Sequence, residues 1–109
     1  MTSAVVAATR IFQALADPSR RAIFEALTRG EAAVKDLTAR FDISQPAVSQ
    51  HLATLKDAGL VKSRSEGRCA YYRVEPRGMK PLINWIAHYR AFWVEHIDRL
   101  EQLLEEMDK

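Results

Sequence analysis

A chain of 109 residues, 48% hydrophobic and 28% charged, has the size of one folded domain and an ordinary globular makeup. Its single cysteine, Cys69, excludes an intramolecular disulfide, and no apolar run approaches the length of a membrane span. The net charge of +2 conceals an asymmetry: residues 1–80 carry 13 Lys and Arg against 8 Asp and Glu, and residues 81–109 carry 3 against 6. A basic body of this kind suits a polyanionic partner. The segment MTSAVVAATRIFQAL has Arg10 within its apolar run and no basic region before it. It does not read as a signal peptide, so the cytoplasm is the expected location.

The spacing of Val5, Ala8, Ile11, Phe12 and Leu15 predicts a first helix over about residues 4–15. Asp17 and Pro18 then supply a helix cap and a first-turn proline. A second helix follows with Ile23, Phe24 and Leu27 inward, ending at Gly30. A short third helix over about residues 34–40 buries Val34 and Leu37, but Ala33 is a poor cap for it. Asp42-Ile43-Ser44 reads as a turn, and Ser44 caps a fourth helix with Pro46 in its first turn. Val48, Leu52 and Leu55 form the inward stripe of that helix, and Gly59 ends it.

The period then changes. Two β-prone runs flank Ser65-Glu66-Gly67, a hairpin signal over about residues 60–75. Tyr71 and Tyr72 should point to opposite faces, one to the core and one to the rim. Pro76, Gly78 and Pro81 interrupt the chain before one long predicted helix from about residue 82 to 107. Along it Leu82, Ile86, Tyr89, Trp93, Ile97, Leu100, Leu104 and Met107 are spaced 4,3,4,4,3,4,3, close to a coiled-coil seam. Such a helix spans about 39 Å, more than a small domain can cover. A homodimer through this seam, with Ile11 of the first helix also in the interface, is the expected assembly.

The third helix, the turn and the fourth helix, residues 34–58, make a helix-turn-helix. The fourth helix presents Pro46, Gln50, Ala53, Thr54 and Asp57 opposite its apolar stripe, with Gln45 and Ser49 on one flank and Ala47 and His51 on the other. Lys56 stands near its end. This face of amides, hydroxyls and small residues can approach base edges: Gln pairs with adenine, Ser and Thr with several edges, Ala with a thymine methyl. Residues early in a recognition helix reach the bases. Ser44 caps the helix and can also touch phosphate; His51, beside the apolar edge, is expected to pack and bond to backbone or phosphate. The hairpin reads as a wing, with Arg64 and Arg68 near its tip placed for backbone or minor-groove contact.

The stretches ALADPSRRAIFEAL, ISQPAVSQHLATLKDAGLV and SEGRCAYYRVEP together resemble the ArsR family of small bacterial winged-helix repressors. The resemblance spans about residues 11–76. It implies a single domain, mainly α with a small β-hairpin wing (α+β), a winged helix-turn-helix dimeric through its terminal helices. It also implies a homodimeric repressor on double-stranded DNA, at a near-palindromic operator, that leaves when a signal arrives. The family's metal sensors carry a Cys-x-Cys pair where this chain has Ala33 and Lys35, which cannot hold arsenic, cadmium or lead. Others bind metal between the last helices. Here His88 and His96 are present, with Asp98 and Glu101 near, but Ile86 and Arg99 break the pattern, so solvated histidines and no metal or cofactor are expected. Cys69 beside Arg68 could be a redox switch, yet a small packed residue is the ordinary role of a free cysteine. What remains is a branch acting as an autorepressor or answering an unidentified small-molecule effector.

A winged helix can serve only to dock proteins, but such a face would expose Leu, Phe or Trp in place of Gln and Ser. An enzyme is not expected: no Ser/His/Asp spacing, nucleotide loop or zinc-hydrolase motif is present.

Overall fold

A computed structural model describes residues 2–108. The chain begins with α1 (Ser3–Ala16) and α2 (Pro18–Leu27), joined by one residue. Asp17 makes that tight corner possible. Its carboxylate accepts the Arg20 N–H at 2.9 Å, and Pro18 fills the first helical position where no N–H is needed. Arg20 and Arg21 reach back, donating from Nη1 to the Ala14 and Leu15 carbonyls at 3.2 and 2.9 Å. Cations there suit the negative end of α1.

A two-residue strand, β1 (Ala32–Ala33), precedes α3 (Val34–Phe41). The sequence pattern gives no sign of this strand. Ala33 has no side-chain acceptor to cap α3; its backbone instead lies in the sheet, opposite Tyr71. Asp42 closes α3 in the left-handed region at φ 52°, which Asp tolerates better than most residues. Ser44 Oγ then accepts the Ala47 N–H at 3.2 Å and opens α4 (Gln45–Asp57).

The hairpin consists of β2 (Val61–Glu66) and β3 (Cys69–Val74), and the sheet is antiparallel in the order β1-β3-β2. Its turn is Gly67-Arg68, two residues further on than the composition suggested, with Gly67 at φ 61°. Tyr72 packs against the core, and Tyr71 lies under the Arg64 guanidinium, 4.6 Å from its ring centroid. The core itself is small. Ile11, Ile23, Leu37, Val48, Leu52, Leu55 and Leu60 are essentially without exposure, and Leu27 and Val61 join them. α4 is thus packed against α2, α3 and β2, which fixes the direction of its outer face.

The long terminal helix is two helices. After a 3-10 turn (Pro76–Met79) come α5 (Lys80–His88) and α6 (Arg90–Met107), broken at Tyr89, whose φ and ψ of −104° and 15° leave the helical region. No Gly or Pro marks this break. Phe12 meets Trp85 edge-on at 5.5 Å and holds α5 on α1. Neither α5 nor α6 has a buried residue. The radius of gyration, 16.9 Å, exceeds the roughly 13 Å of a compact chain this long, because α6 projects for about 27 Å. Among the described residues no helix is long and apolar enough to cross a membrane.

Candidate nucleic-acid interface

The first turns of α4 stand clear of the body. Ser44, Gln45, Pro46, Ser49 and Gln50 are exposed, and Ala47 is half-buried. A cleft of about 400 Å³ separates this face from the wing, with Gln45 and Ser49 on one wall and Arg68, Cys69 and Tyr72 on the other. The structure therefore brings together the polar flank of α4 and the arginine of the hairpin turn. It also adds Lys35, from the first turn of α3, to the same cleft. Lys35 stands where the metal sensors of the resembled family carry a thiolate, and its place one residue inside the first helix of a helix-turn-helix is the signal in the sequence for this position. Lys35 and Arg68 give the cleft two cations, and no carboxylate lines it.

Other expected contacts are placed differently. Arg64 is not at the tip. It sits opposite Tyr71, three residues before the turn, and is held by carboxylates. Its Nε and Nη2 donate to Glu31 at 2.7–3.1 Å, and its Nη1 donates to Glu66 at 2.9 Å. The Glu31 side chain lowers its own carboxyl pKa chiefly through this bond, and Arg64 is held still more firmly protonated by Glu31 and then Glu66. Sequence spacing missed Glu31 because its partner lies 33 residues away. The Thr54 hydroxyl donates to the Gln50 carbonyl one turn back, at 3.1 Å, and is half-buried. Lys56 Nζ donates to Ser63 Oγ at 2.9 Å, tying the end of α4 to the wing.

His51 is half-buried, as expected, but its Nδ1 is closed off from solvent without a hydrogen-bond partner. It lies near Asp17, whose carboxyl is lowered first by the Arg20 N–H and to a smaller degree by His51. Cys69 is exposed and stands beside Tyr71, whose phenol is pushed up chiefly by that sulfur and then by burial. On α6, His96 Nδ1 lies 2.9 Å from the Phe92 carbonyl and its ring stacks on Phe92 at 4.4 Å. Among the described residues no cluster of three His, Cys, Asp or Glu could hold a metal ion.

The expected interface residues divide into two sets. Ile11 is 1% exposed and belongs to the core of its own chain, and Leu82 packs against that core. Ile11 is thus closed to a second subunit, whereas Leu82 keeps part of its surface exposed. Ile86, Tyr89, Trp93, Ile97, Leu100 and Leu104 are all exposed, Leu104 to 60%. On α1 the exposed large apolar residues are Val5, Val6 and Phe12, the last adjacent to Ile11 and the other two more than a turn before it.

The family of bacterial regulatory proteins named for arsR matches residues 17–63, from the cap of α2 to the start of the wing. The HTH-type transcriptional regulator Rv2034 of Mycobacterium tuberculosis is 41% identical over 96 residues, which are 88% of this chain and 87% of that protein. The transcriptional repressor SdpR of Bacillus subtilis is 33% identical over 79 residues, 72% of this chain and 88% of its own. A solved ArsR family transcriptional regulator superposes with a TM-score of 0.75 at 33% identity, over 85% of this chain and 96% of that one. These relatives are transcriptional regulators, a DNA-binding and non-enzymatic class. With a winged helix-turn-helix, a polar recognition face and relatives matched over nearly their full length, the chain belongs to the ArsR family of transcriptional regulators.

Proposed function

We propose that this regulator is a homodimeric repressor, acting in the cytoplasm on a near-palindromic operator, its own promoter included, and released by a small-molecule signal. The single observation behind this reading is the cleft in which Gln45 and Ser49 of α4 face Arg68 of the wing, with Lys35 beside them. Its two cations suit one sugar-phosphate strand leaving the major groove. Ser49 and Gln50 then read base edges, Gln45 and Ser44 lie at the groove wall, and Pro46 and Ala47 permit close approach. Lys35 and Arg68 hold phosphates. Lys56, Thr54 and His51 support the helix from its far end rather than reading sequence. Arg64 shapes the wing from within the sheet.

The dimer rests on the uncovered apolar faces of α1, α5 and α6. An isologous pairing of two such arms would place two α4 helices on half-sites about one turn of DNA apart.

The test is a titration against the DNA upstream of the chain's own gene, with random DNA as control, at two salt concentrations. Salt-dependent binding with a large preference for the upstream sequence is the expected result. Equal affinity for both DNAs would remove autorepression, and an unbiased selection of DNA sites that enriched nothing would remove sequence-specific binding altogether.

A further inference from the structure

Two hollows of about 420 and 480 Å³ adjoin on the side of the molecule where α1 crosses the C-terminal end of α4. They share Arg10, Asp57 and Ala58 and so form one groove. Each is within the usual size of small-ligand sites, about 300–1,000 Å³. The groove has two halves of different character. One is polar, with Gln13, Arg20 and Thr54; the other is mainly apolar, with Val6, Ala7 and Pro81.

Its charged groups are not satisfied by one another. Arg10 and Asp57 both line the groove, and neither forms an ion pair or side-chain hydrogen bond among the described residues. Arg20 uses Nη1 to cap α1, on the carbonyls of Gln13 and Ala14. Its Nε–Nη2 edge donates to nothing among the described residues, and Nε is closed off from solvent. Nη2 is therefore the Arg20 donor open to the groove, and a guanidinium N–H donates strongly to a carboxylate oxygen.

We propose that this groove binds a small branched carboxylic acid bearing a hydroxyl or amino group next to the carboxylate. Arg20 Nη2 and Arg10 take the carboxylate, Asp57 accepts from the hydroxyl or amino group, and the branched chain lies toward Val6, Ala7 and Pro81. DNA phosphate fits less well, because Asp57 would repel it and the groove lies about 10 Å along α4 from Gln50. The groove's role as the signal site rests on the reading of the chain as a releasable repressor; binding itself does not. A ligand here touches α1, beside the uncovered apolar face, and the end of the recognition helix at once.

The probes are 4-methylpentanoate, 2-hydroxy-4-methylpentanoate and L-leucine, titrated into the full isotope-labelled chain without DNA. The Arg20 Nε–H signal and the amides near Gln13 and Ala58 should shift, and the hydroxy and amino acids should bind more tightly than the plain acid. Arg10→Gln should weaken binding by about tenfold, and Asp57→Asn should erase the advantage of L-leucine. Each variant's spectrum reports whether it is folded. No shift at the groove with any probe to about 10 mM, equal affinity for all three, or unchanged affinity in Arg10→Gln overturns the site. Operator affinity is measured separately: probe binding without a change in operator affinity keeps the site and removes its signalling role. Ligand-free Arg10→Gln should bind operator as the native chain does.

Discussion

Gly78 lies against Gly59 so closely that a Cβ at residue 78 would stand 1.7 Å from the Gly59 carbonyl oxygen. This contact joins the end of the recognition helix to the turn that launches α5. Gly59 is itself at φ 81°, ending α4 in a conformation that favours glycine. Backbone thus packs on backbone between the end of α4 and the 3-10 turn before α5. Gly78→Ala should cost about 1–3 kcal/mol, since the obstructing atom is backbone and cannot rotate away. Chemical denaturation checks this, and an unchanged midpoint would show that the turn can slide.

Gln50→Ala should lose about 1–3 kcal/mol at the operator and relax the preference at one base position, with little change on random DNA. Parallel losses on both DNAs would take Gln50 off the bases.

The two wing arginines should behave differently. Arg68, in the turn and free of carboxylates among the described residues, should contribute about one unit to the salt slope, which Arg68→Ala removes. Arg64 is already balanced by Glu31 and Glu66, so Arg64→Ala should leave that slope nearly unchanged and instead loosen the sheet. Equal slope changes in the two variants would mean that Arg64 leaves Glu31 on binding.

Ile97→Glu with Leu104→Glu should convert a dimer to a folded monomer, because both side chains are exposed on α6. Sedimentation should read the mass of one chain, and operator affinity should fall by orders of magnitude as one half-site is lost. A retained dimer would confine the interface to α1 and α5.

Acid should weaken the fold through Asp17, Glu31 and Glu75. Asp17 is lowered first by the Arg20 N–H, Glu31 by Arg64, and Glu75 by Lys62, which stands 3.1 Å away. With folded values below the unfolded ones, these groups stabilise the native state at neutral pH. That contribution is lost as pH falls below the ordinary carboxylate range and through the lowered folded values. Asp17→Asn keeps a good cap and removes one titration, so its urea midpoint should fall less steeply as the solution is acidified. An identical fall would exclude Asp17 as a contributor.

The order of the helices, the Asp17 and Ser44 caps and the inward stripe of α4 were determined by the sequence alone. Each depends on residues within one or two turns of each other, where local hydrogen bonds and the helical period decide the outcome. The polar outer face of α4 follows from the same period. The strand at Ala32–Ala33, the Glu31–Arg64 pair, the cleft containing Lys35 and the burial of Ile11 were decided only by tertiary structure. They join residues distant in the chain, and no local periodicity encodes which surfaces meet. The break at Tyr89 is of this kind too. Nothing in its immediate sequence forbids a continuous helix, and its apolar seam runs unbroken through a bend that Leu82 and Trp85, seated on the core and on α1, impose on α5 alone.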